Sequence, residues 1–261
     1  MAPRFFAVGD LMLDVFASGR DHDARILVRP GGSAANAAVW ASRCGADATV
    51  VGFVGDDLAG RALLHELEAR GVRSLFSIVA GERTGTTLAV DGHRRVDRGA
   101  NAQASPDLLP NLPAADIMLV SGYLPRAATD AAISGARAQW VAASVGISDP
   151  PPSAPALFLG EERAKALTGL DAKASAVMLG RRHRLACVTR GREGAVAVLD
   201  GQVEIARPPE VYAGDATGAG DALAAAMLVA LADGASLLEA VNKGCRVGAL
   251  VAESSNAWPV P

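Results

Sequence analysis

The fold is decided by residues 31–54, GGSAANAAVWASRCGADATVVGFV, in which an Ala-rich segment lies between a glycine pair and a run of apolar and β-branched residues. The Ala-rich part, Ala34–Cys44, predicts a helix, and Thr49–Val54 predicts a buried strand. A short apolar run upstream, Phe5–Val8, predicts another strand. Strand, helix and strand in this order indicate an α/β protein with a largely parallel sheet.

The alternation of strands and helices continues along the chain. Further helices are predicted at Ala59–Ala69, Ala127–Ala138, Ala219–Leu231 and Leu237–Ala252, and further strands at Ile117–Val120 and Leu185–Thr189. Asp200-Gly201 predicts a hairpin turn. Two segments, Leu11–Val28 and Thr86–Val96, predict strands outside this alternation, and the second contains the turn dipeptide Asp91-Gly92. We expect these two segments to form a small separate sheet, and the Pro-rich residues 150–155 to form a surface loop within a single domain, 1–261.

Composition excludes several classes of protein. The 261 residues include 25 basic and 28 acidic side chains, a net charge of −3, which does not suit a nucleic-acid partner. Three cysteines are too few for a disulfide framework and favour a reducing compartment. The longest apolar run, residues 222–232, is shorter than the ~20 residues that span a bilayer, and acidic residues interrupt the N-terminal segment where an export signal would be apolar. We therefore expect a cytoplasmic protein with no membrane partner.

Several familiar motifs are missing or incomplete. No lysine follows a glycine, so the chain has no Walker phosphate loop. Leu223 stands where the dinucleotide fingerprint has its third glycine, and His65-Glu66 lacks the second histidine of a zinc protease. Ser33 follows two glycines as in a nucleophile elbow, but no histidine has a suitable spacing. A serine hydrolase therefore stays only as a weak alternative.

Residues 215–221, DATGAGD, open an Ala-rich helix. Small residues leave backbone N–H groups unshielded at the positive end of a helix, where phosphate oxygens can bind. A carboxylate beside a bound phosphate has a role if it accepts the proton of an attacking nucleophile. Asp221 is thus a candidate general base, and the simpler alternative is that it caps the helix.

A second glycine segment bears polar residues near the first strand. Asn36 lies in the first turns of the helix after Gly31 and Gly32, where its amide can donate to and accept from hydroxyl groups. Asp14 lies just beyond the first strand, where open α/β sheets bind ligands. Both could hold sugar hydroxyls, but Asp14 could also be a turn residue and Asn36 a helix-end hydrogen-bonding group.

Three ordered motifs together resemble the signatures of the ribokinase-like (PfkB) carbohydrate kinase family. They are Gly31–Ala38 continued by Gly45 to Asp57, Thr189–Gly194, and Asp215–Asp221. The resemblance implies a ribokinase-like three-layer α/β/α sandwich, with a mostly parallel central sheet and a small β-sheet lid from about 11–28 and 86–98. It also implies transfer of phosphate from ATP, with Mg²⁺, to a small sugar, sugar acid or nucleoside, and a homodimer formed through the lid.

The resemblance assigns roles position by position. Asp221 would be the base, with an anion hole of the N–H groups of Gly218, Ala219 and Gly220. The acceptor would be held by Asp14, Gly31, Gly32 and Asn36. The nucleotide would contact Thr189, Gly191, Gly194 and Cys245, although Cys245 also fits a small buried core residue. Asp215 and Thr217 match the neighbourhood where some members bind a monovalent cation such as K⁺.

The chain departs from the family pattern on the nucleotide side. Gly160 and Arg163 stand where the family usually has the Asn and Glu of an Asn-x-x-Glu motif that organises magnesium. Glu161 or Glu162 could supply the magnesium ligand instead, or Arg163 could contact phosphate directly. This departure leaves an alternative open: a catalytically weak relative that binds a sugar or nucleotide as a sensor or partner protein.

The acceptor itself stays open at this stage. Some ribose-specific relatives have a polar residue at the position of Met12, which argues against ribose. Three arginines on the expected lid, Arg94, Arg95 and Arg98, could meet an anionic substrate or could solvate an edge strand. Solvation is the favoured interpretation.

Overall fold

The computed structural model describes residues 1–90, 93–146, 152–209, 216–254 and Trp258. Its strands are β1 (Arg4–Val8), β2 (Met12–Ser18), β3 (Arg25–Gly31), β4 (Asp47–Val54), β5 (Arg73–Ile78), β6 (Gly85–Val90), β7 (His93–Asp97), β8 (Ala115–Ser121), β9 (Ala138–Ser144), β10 (Ala156–Gly160), β11 (Leu185–Thr189), β12 (Ala195–Leu199) and β13 (Gln202–Ala206). Its helices are α1 (Ser33–Arg43), α2 (Leu58–Glu68), α3 (Arg126–Ser134), α4 (Glu161–Thr168), α5 (Ala172–Leu179), α6 (Ala219–Ala232) and α7 (Leu237–Ser254).

The central sheet has nine strands in the order β13-β12-β11-β10-β9-β8-β1-β4-β5. All neighbours are parallel except at one edge, where β12 pairs antiparallel with β11 and β13 pairs antiparallel with β12. The β12–β13 hairpin turns at Asp200-Gly201, as its sequence predicts. The mostly parallel sheet is therefore confirmed.

Helices cover both faces of this sheet. Side chains alternate along a strand, so Phe5 and Ala7 pack on one face with α1, α2, α6 and α7, whereas Phe6 and Val8 pack on the other with α3. Helices α4 and α5 pack with β11 and β12 in a second cluster. Every residue of α6 from 222 to 231 is buried, which explains why its sequence is apolar all round. The three-layer α/β/α arrangement is confirmed.

The two segments outside the alternation form the expected second sheet, which we call the lid. It has four strands in the order β3-β2-β6-β7, with β2 and β6 parallel and the outer pairs antiparallel. Strand β3 continues to Gly31, so the lid leads almost directly into α1. The predicted turn at Asp91-Gly92 lies outside the described residues.

Some element predictions differ from the structure. The helix predicted at Ala127–Ala138 ends at Ser134, where the poor helix former Gly135 is the C-cap residue, and Ala138 already begins β9. Residues 152–155 of the Pro-rich segment lead into β10, and the rest of that segment is outside the described residues. Among the described helices, none is long and apolar enough to cross a membrane.

Candidate active site

Asp10 links β1, β8 and α1 by hydrogen bonds at the carboxyl end of the central strands. It follows β1, and its side chain is buried. Ser121, the last residue of β8, donates from Oγ to Asp10 Oδ1 at 2.7 Å, and the backbone N–H of Ser33 donates to Oδ2 at 3.1 Å. Gly32 precedes α1 with a φ of 97°, and a Cβ there would lie 2.3 Å from the Asp10 carbonyl oxygen. Only glycine can therefore let the chain turn from β3 into α1 against Asp10.

The carboxylate of Asp221 lies beside α1. It is in the first turn of α6, and its Oδ1 accepts a hydrogen bond from Ser33 Oγ at 2.6 Å. Its Oδ2 accepts from Asn36 Nδ2 at 3.0 Å. Trp258 Nε1 in turn donates to Asn36 Oδ1 at 2.7 Å. Because the indole can only donate, it fixes which end of the Asn36 amide faces Asp221.

The surroundings of Asp221 favour its protonated form. Burial raises the pKa of Asp221 to about 7. The hydrogen bonds from Ser33 and Asn36 oppose this rise in pKa, and the negative charge of Asp10 adds to it. A carboxylate with a pKa near neutrality can both accept and release a proton under physiological conditions.

Asp221 lies at the wall of a cavity of about 410 Å³ between the sheet edge and the lid, which we call the carboxylate cavity. It is lined by Asp10, Met12, Asp14, Gly32, Ser33, Asn36, Thr87, Arg94, Val96, Tyr123, Thr217, Gly218, Gly220 and Asp221. Three of the predicted acceptor residues, Asp14, Gly32 and Asn36, thus share one cavity with the predicted base. The fourth, Gly31, is behind Asp14: a Cβ on it would lie 2.4 Å from Asp14 Oδ2.

A second cavity, of about 290 Å³, lies on the other side of the start of α6, and we call it the glycine cavity. It is lined by Thr189, Gly191, Arg192, Gly194, Pro208, Ala216, Ala219, Gly220, Leu223, Cys245, Gly248, Ala249 and Ala252. All four predicted nucleotide-contacting residues are in this set. Burial raises the pKa of the Cys245 thiol to about 11, so this residue is an apolar wall rather than a reactive group.

The two cavities meet at the first turn of α6. Gly220 lines both, and a Cβ on it would meet no atom of the described residues within 4 Å. The N–H groups of Gly218 and Gly220 have no hydrogen-bond acceptor in the described part of the chain, whereas the N–H of Ala219 donates to the Ala216 carbonyl at 3.0 Å. Of the three N–H groups predicted to form the anion hole, those of Gly218 and Gly220 can therefore bind a phosphate oxygen in this conformation. The N–H of Ala219 is already hydrogen-bonded within the chain.

The predicted metal positions are more scattered. Thr217 lines the carboxylate cavity, and Asp215 lies outside the described residues. Glu162 is exposed in the first turn of α4 and lines neither of the two cavities. Within the described ranges, no group of three or more His, Cys, Asp and Glu side chains is placed to hold a metal ion.

Sequence reasoning missed several residues that the structure brings to this site. The sequence indicates Ser33 only as a candidate nucleophile, yet its hydroxyl donates to the Asp221 carboxylate. Trp258 is 222 residues away from Asn36 in the chain, so no local pattern could have linked them. Thr87 and Tyr123 also line the carboxylate cavity. Burial and the nearby Asp221 and Asp10 carboxylates raise the pKa of Tyr123, and Arg94 lowers it.

Comparison with known proteins gives consistent results. A model described as pfkB family carbohydrate kinase matches residues 4–260. The chain is 31% identical over 265 residues to a fructokinase from Klebsiella pneumoniae, covering 89% of this chain and 85% of that protein. It is 32% identical over 239 residues to a ribokinase from Bacillus subtilis (strain 168), covering 85% of this chain and 80% of that protein.

The fold is shared with solved structures. The crystal structure of adenosine kinase from Sinorhizobium meliloti superposes with a TM-score of 0.86 at 23% identity, covering 100% of this chain and 97% of that one. Ribokinase from Thermotoga maritima superposes with a TM-score of 0.83, also at 23% identity, covering 97% of this chain and 95% of that one. With a family match over almost the whole sequence and two relatives above 30% identity, this chain belongs to the pfkB family of carbohydrate kinases.

Proposed function

We propose that this kinase transfers the γ-phosphoryl group of ATP to a hydroxyl group of a small sugar, sugar acid or nucleoside, with Asp221 as general base. The observation that carries the proposal is the meeting of two cavities at Gly220, with the Asp221 carboxylate on one side of the junction. A phosphoryl group passing between two substrates needs such a junction. The relatives named fructokinase and ribokinase support a sugar-like acceptor.

The acceptor occupies the carboxylate cavity in this proposal. Asp14 and Asn36 are buried polar side chains that can bind its hydroxyl groups, and Asp221 accepts the proton of the hydroxyl that attacks. As the new oxygen–phosphorus bond forms, the bond between the γ-phosphorus and the bridging oxygen breaks and ADP leaves. The proton stays on Asp221 until it is lost to solvent.

The nucleotide occupies the glycine cavity, entering as Mg·ATP. Thr189, Gly191 and Gly194 contact it, and its phosphates point to the start of α6, where the N–H groups of Gly218 and Gly220 are available. We propose that Mg²⁺ is held mainly by the phosphates and water, as this ion usually is in phosphoryl transfer. Asp215 and Thr217 as ligands of a monovalent cation stay a prediction.

The lid completes the site and gives it a second role. Its inner face covers the carboxylate cavity, which keeps water away from the phosphoryl group. Its outer face carries exposed apolar side chains, and we propose that a second copy of the chain covers them.

The test is ADP release from Mg·ATP with a panel of pentoses, hexoses, sugar acids and nucleosides, run with wild type and Asp221→Asn. We expect acceptor-dependent turnover that falls by about 10²- to 10⁴-fold in the variant. The variant amide keeps the size of the side chain, and an unchanged melting temperature serves as the control for folding.

The opposite result has a definite meaning. If no acceptor is turned over by the wild type while ATP or a sugar still raises its melting temperature, the chain is a binding protein rather than an active kinase. Acceptor-dependent turnover that persists in Asp221→Asn would instead remove Asp221 from the role of base.

A further inference from the structure

The inner face of the lid forms a wall of the carboxylate cavity, in which the proposed function gives a role to Asp14 but none to Thr87 or Arg94. Asp14 of β2 lies beside Thr87 of β6, and Thr87 lies opposite Val96 of β7. Two residues farther along β6 and β7, Ala89 lies opposite Arg94. Alternate residues of a strand share a face, and Asp14, Thr87, Val96 and Arg94 all line the cavity. The wall therefore runs from Asp14, through Thr87, to Arg94.

Thr87 supplies an unused polar group in the middle of this wall. The residue is 2% exposed, and its Oγ1 has no hydrogen-bond partner among the described residues. Buried hydroxyl groups are normally paired, and one that lines a cavity can be paired by a ligand. Thr87 can thus donate to or accept from an oxygen of the acceptor.

Arg94 supplies the charge at the end of the wall. It is exposed, and it forms no ion pair or hydrogen bond with any described residue. It is also the one cationic side chain among the described residues that line the cavity, which include the carboxylates of Asp10, Asp14 and Asp221. Arg29, across the lid from Asp14, stacks over the Phe16 ring at 5.4 Å and does not line the cavity.

The two neighbouring arginines, Arg95 and Arg98, do not line the carboxylate cavity. Arg95 pairs with Leu88 on the other face of the lid, away from the cavity. Arg98 donates from its guanidinium to the backbone carbonyl of Tyr123. The sequence leaves open whether these three arginines bind an anionic substrate or solvate an edge strand. Only Arg94 among them faces the carboxylate cavity.

We propose that the acceptor is an anionic polyol whose carboxylate or phosphate ester binds Arg94 and whose adjoining oxygen binds Thr87. This inference rests on the proposed kinase function and names its substrate class. A cavity lined by three carboxylates repels an anion except where a cation stands, so the charged end must lie at Arg94 and the reacting hydroxyl at Asp221. The planar guanidinium suits carboxylate and phosphate equally, since both accept two parallel hydrogen bonds.

The first experiment compares acceptors that share one carbon skeleton: an aldose, its aldonic acid and its terminal phosphate ester. The value of kcat/KM is measured for wild type, for Arg94→Gln, and for Arg95→Gln as the matched control on the same strand. We expect wild type and Arg95→Gln to prefer a charged member by about 10- to 100-fold, as for a charge-assisted hydrogen bond. Arg94→Gln should lose this preference, so that it turns over the charged members and the neutral aldose with similar kcat/KM. The two charged arms show whether the group is a carboxylate or a phosphate.

The second experiment measures binding without ATP. Calorimetry gives the dissociation constant of each acceptor for wild type, Arg94→Gln and Thr87→Val, which replaces the hydroxyl by a methyl group of the same shape. Thr87→Val should weaken binding by about 3- to 10-fold without lowering the melting temperature, because the hydroxyl has no partner within the described chain.

Two outcomes separate this inference from the proposed function. Equal turnover of neutral and charged acceptors, unchanged in Arg94→Gln, would overturn the anionic acceptor and leave the kinase intact. Charged acceptors that bind through Arg94 but are never phosphorylated would overturn the proposed function and support the anion site.

Discussion

At the scale of single residues, two influences act on the proton of Asp221 in opposite directions. Burial and the charge of Asp10 raise its pKa, and hydrogen bonds from Ser33 and Asn36 restrain that rise, leaving a pKa of about 7. In the proposed mechanism Asp221 is the base, and it must be ionised before it can accept a proton, so we expect acceptor turnover to require the deprotonated carboxylate. At saturating Mg·ATP, kcat/KM for the acceptor should therefore fall by about tenfold per pH unit below this pKa and level off above it.

Ser33→Ala tests this explanation. The variant loses a hydroxyl that donates to the ionised form of Asp221, so the pKa of Asp221 should rise further and the acid limb of the profile should move to higher pH by roughly 0.5 to 1 unit. The measurement is the pH dependence of kcat/KM for both proteins. An acid limb that stays in place would contradict the role of the hydrogen bond, and a complete loss of turnover at every pH would revive Ser33 as a nucleophile.

Trp258 acts on the site through Asn36. Trp258→Phe keeps an aromatic ring beneath Arg70, which lies 5.2 Å from the indole ring, but removes the donor that fixes the Asn36 amide. We expect acceptor kcat/KM to fall by about 5- to 10-fold, the cost of one hydrogen bond.

Trp140→Phe is the matched control for this substitution. Trp140 is also buried and also lies beneath an arginine, Arg184 at 4.5 Å, but its Nε1 has no partner among the described residues. Its replacement should leave kcat/KM unchanged. Equal losses of kcat/KM in the two variants would show that the effect comes from packing rather than from the Asn36 amide.

At the scale of elements, the first turn of α6 brings the two cavities together because its residues are small. Gly220→Ala separates this role from stability. The added Cβ meets no described atom within 4 Å and replaces glycine by a better helix former, so the variant should be as stable as wild type or more stable by about 0.5–1 kcal/mol. In the proposed function the phosphoryl group crosses the junction of the two cavities at Gly220, where this Cβ would be added.

We therefore expect kcat for Gly220→Ala to fall by at least about tenfold while the melting temperature holds or rises. Steady-state ADP release and thermal unfolding measure the two effects. A lower melting temperature together with the lower kcat would mean that Gly220 is needed for folding, and an unchanged kcat would place the transfer path elsewhere.

The elements also show how far sequence patterns reach. The sequence predicts strand β11 and helices α1, α2, α6 and α7 to within two residues, because each has a clear apolar pattern and a glycine or polar boundary. Strands β5, β9 and β10 were not predicted. β5 is an edge strand with a mixed pattern of exposure, and β9 follows a helix so closely that its alanines extend the helical pattern.

The candidate site could be predicted only where residue type and local motif coincide. Asp221, Asn36 and Asp14 each stand beside a glycine turn or a strand end, and the structure places all three around one cavity. Asp10 and Trp258 contribute through contacts between segments 111 and 222 residues apart, which a single sequence does not encode in any local pattern. A local motif can also mislead. Glu162 has the residue type of a magnesium ligand and lies where the family motif is expected, but it lines neither cavity.

At the scale of the whole molecule, the lid has two faces with different chemistry. The inner face carries Asp14 and Thr87 into the cavity. The outer face exposes four apolar side chains, with 68% of Ile26, 54% of Val28, 38% of Leu88 and 37% of Val90 accessible. The strand register puts these four on the same side of the sheet. An apolar sheet face of this kind is stabilised by burial against a partner, and self-association is the simplest way to provide one.

Ile26→Glu tests the association of two copies through this face. We expect wild type to sediment as a dimer and the variant as a monomer at the same concentration, since burying an unpaired carboxylate costs several kcal/mol (about 3 or more). Leu238→Glu is the control: it places the same charge on an exposed apolar residue of α7 and should leave the dimer intact. If the lid face is what holds two copies together, Ile26→Glu should also weaken acceptor binding, because the partner supports the sheet that covers the cavity. If the wild type sediments as a monomer, the lid does not form a dimer interface, and its remaining role is to cover the substrate.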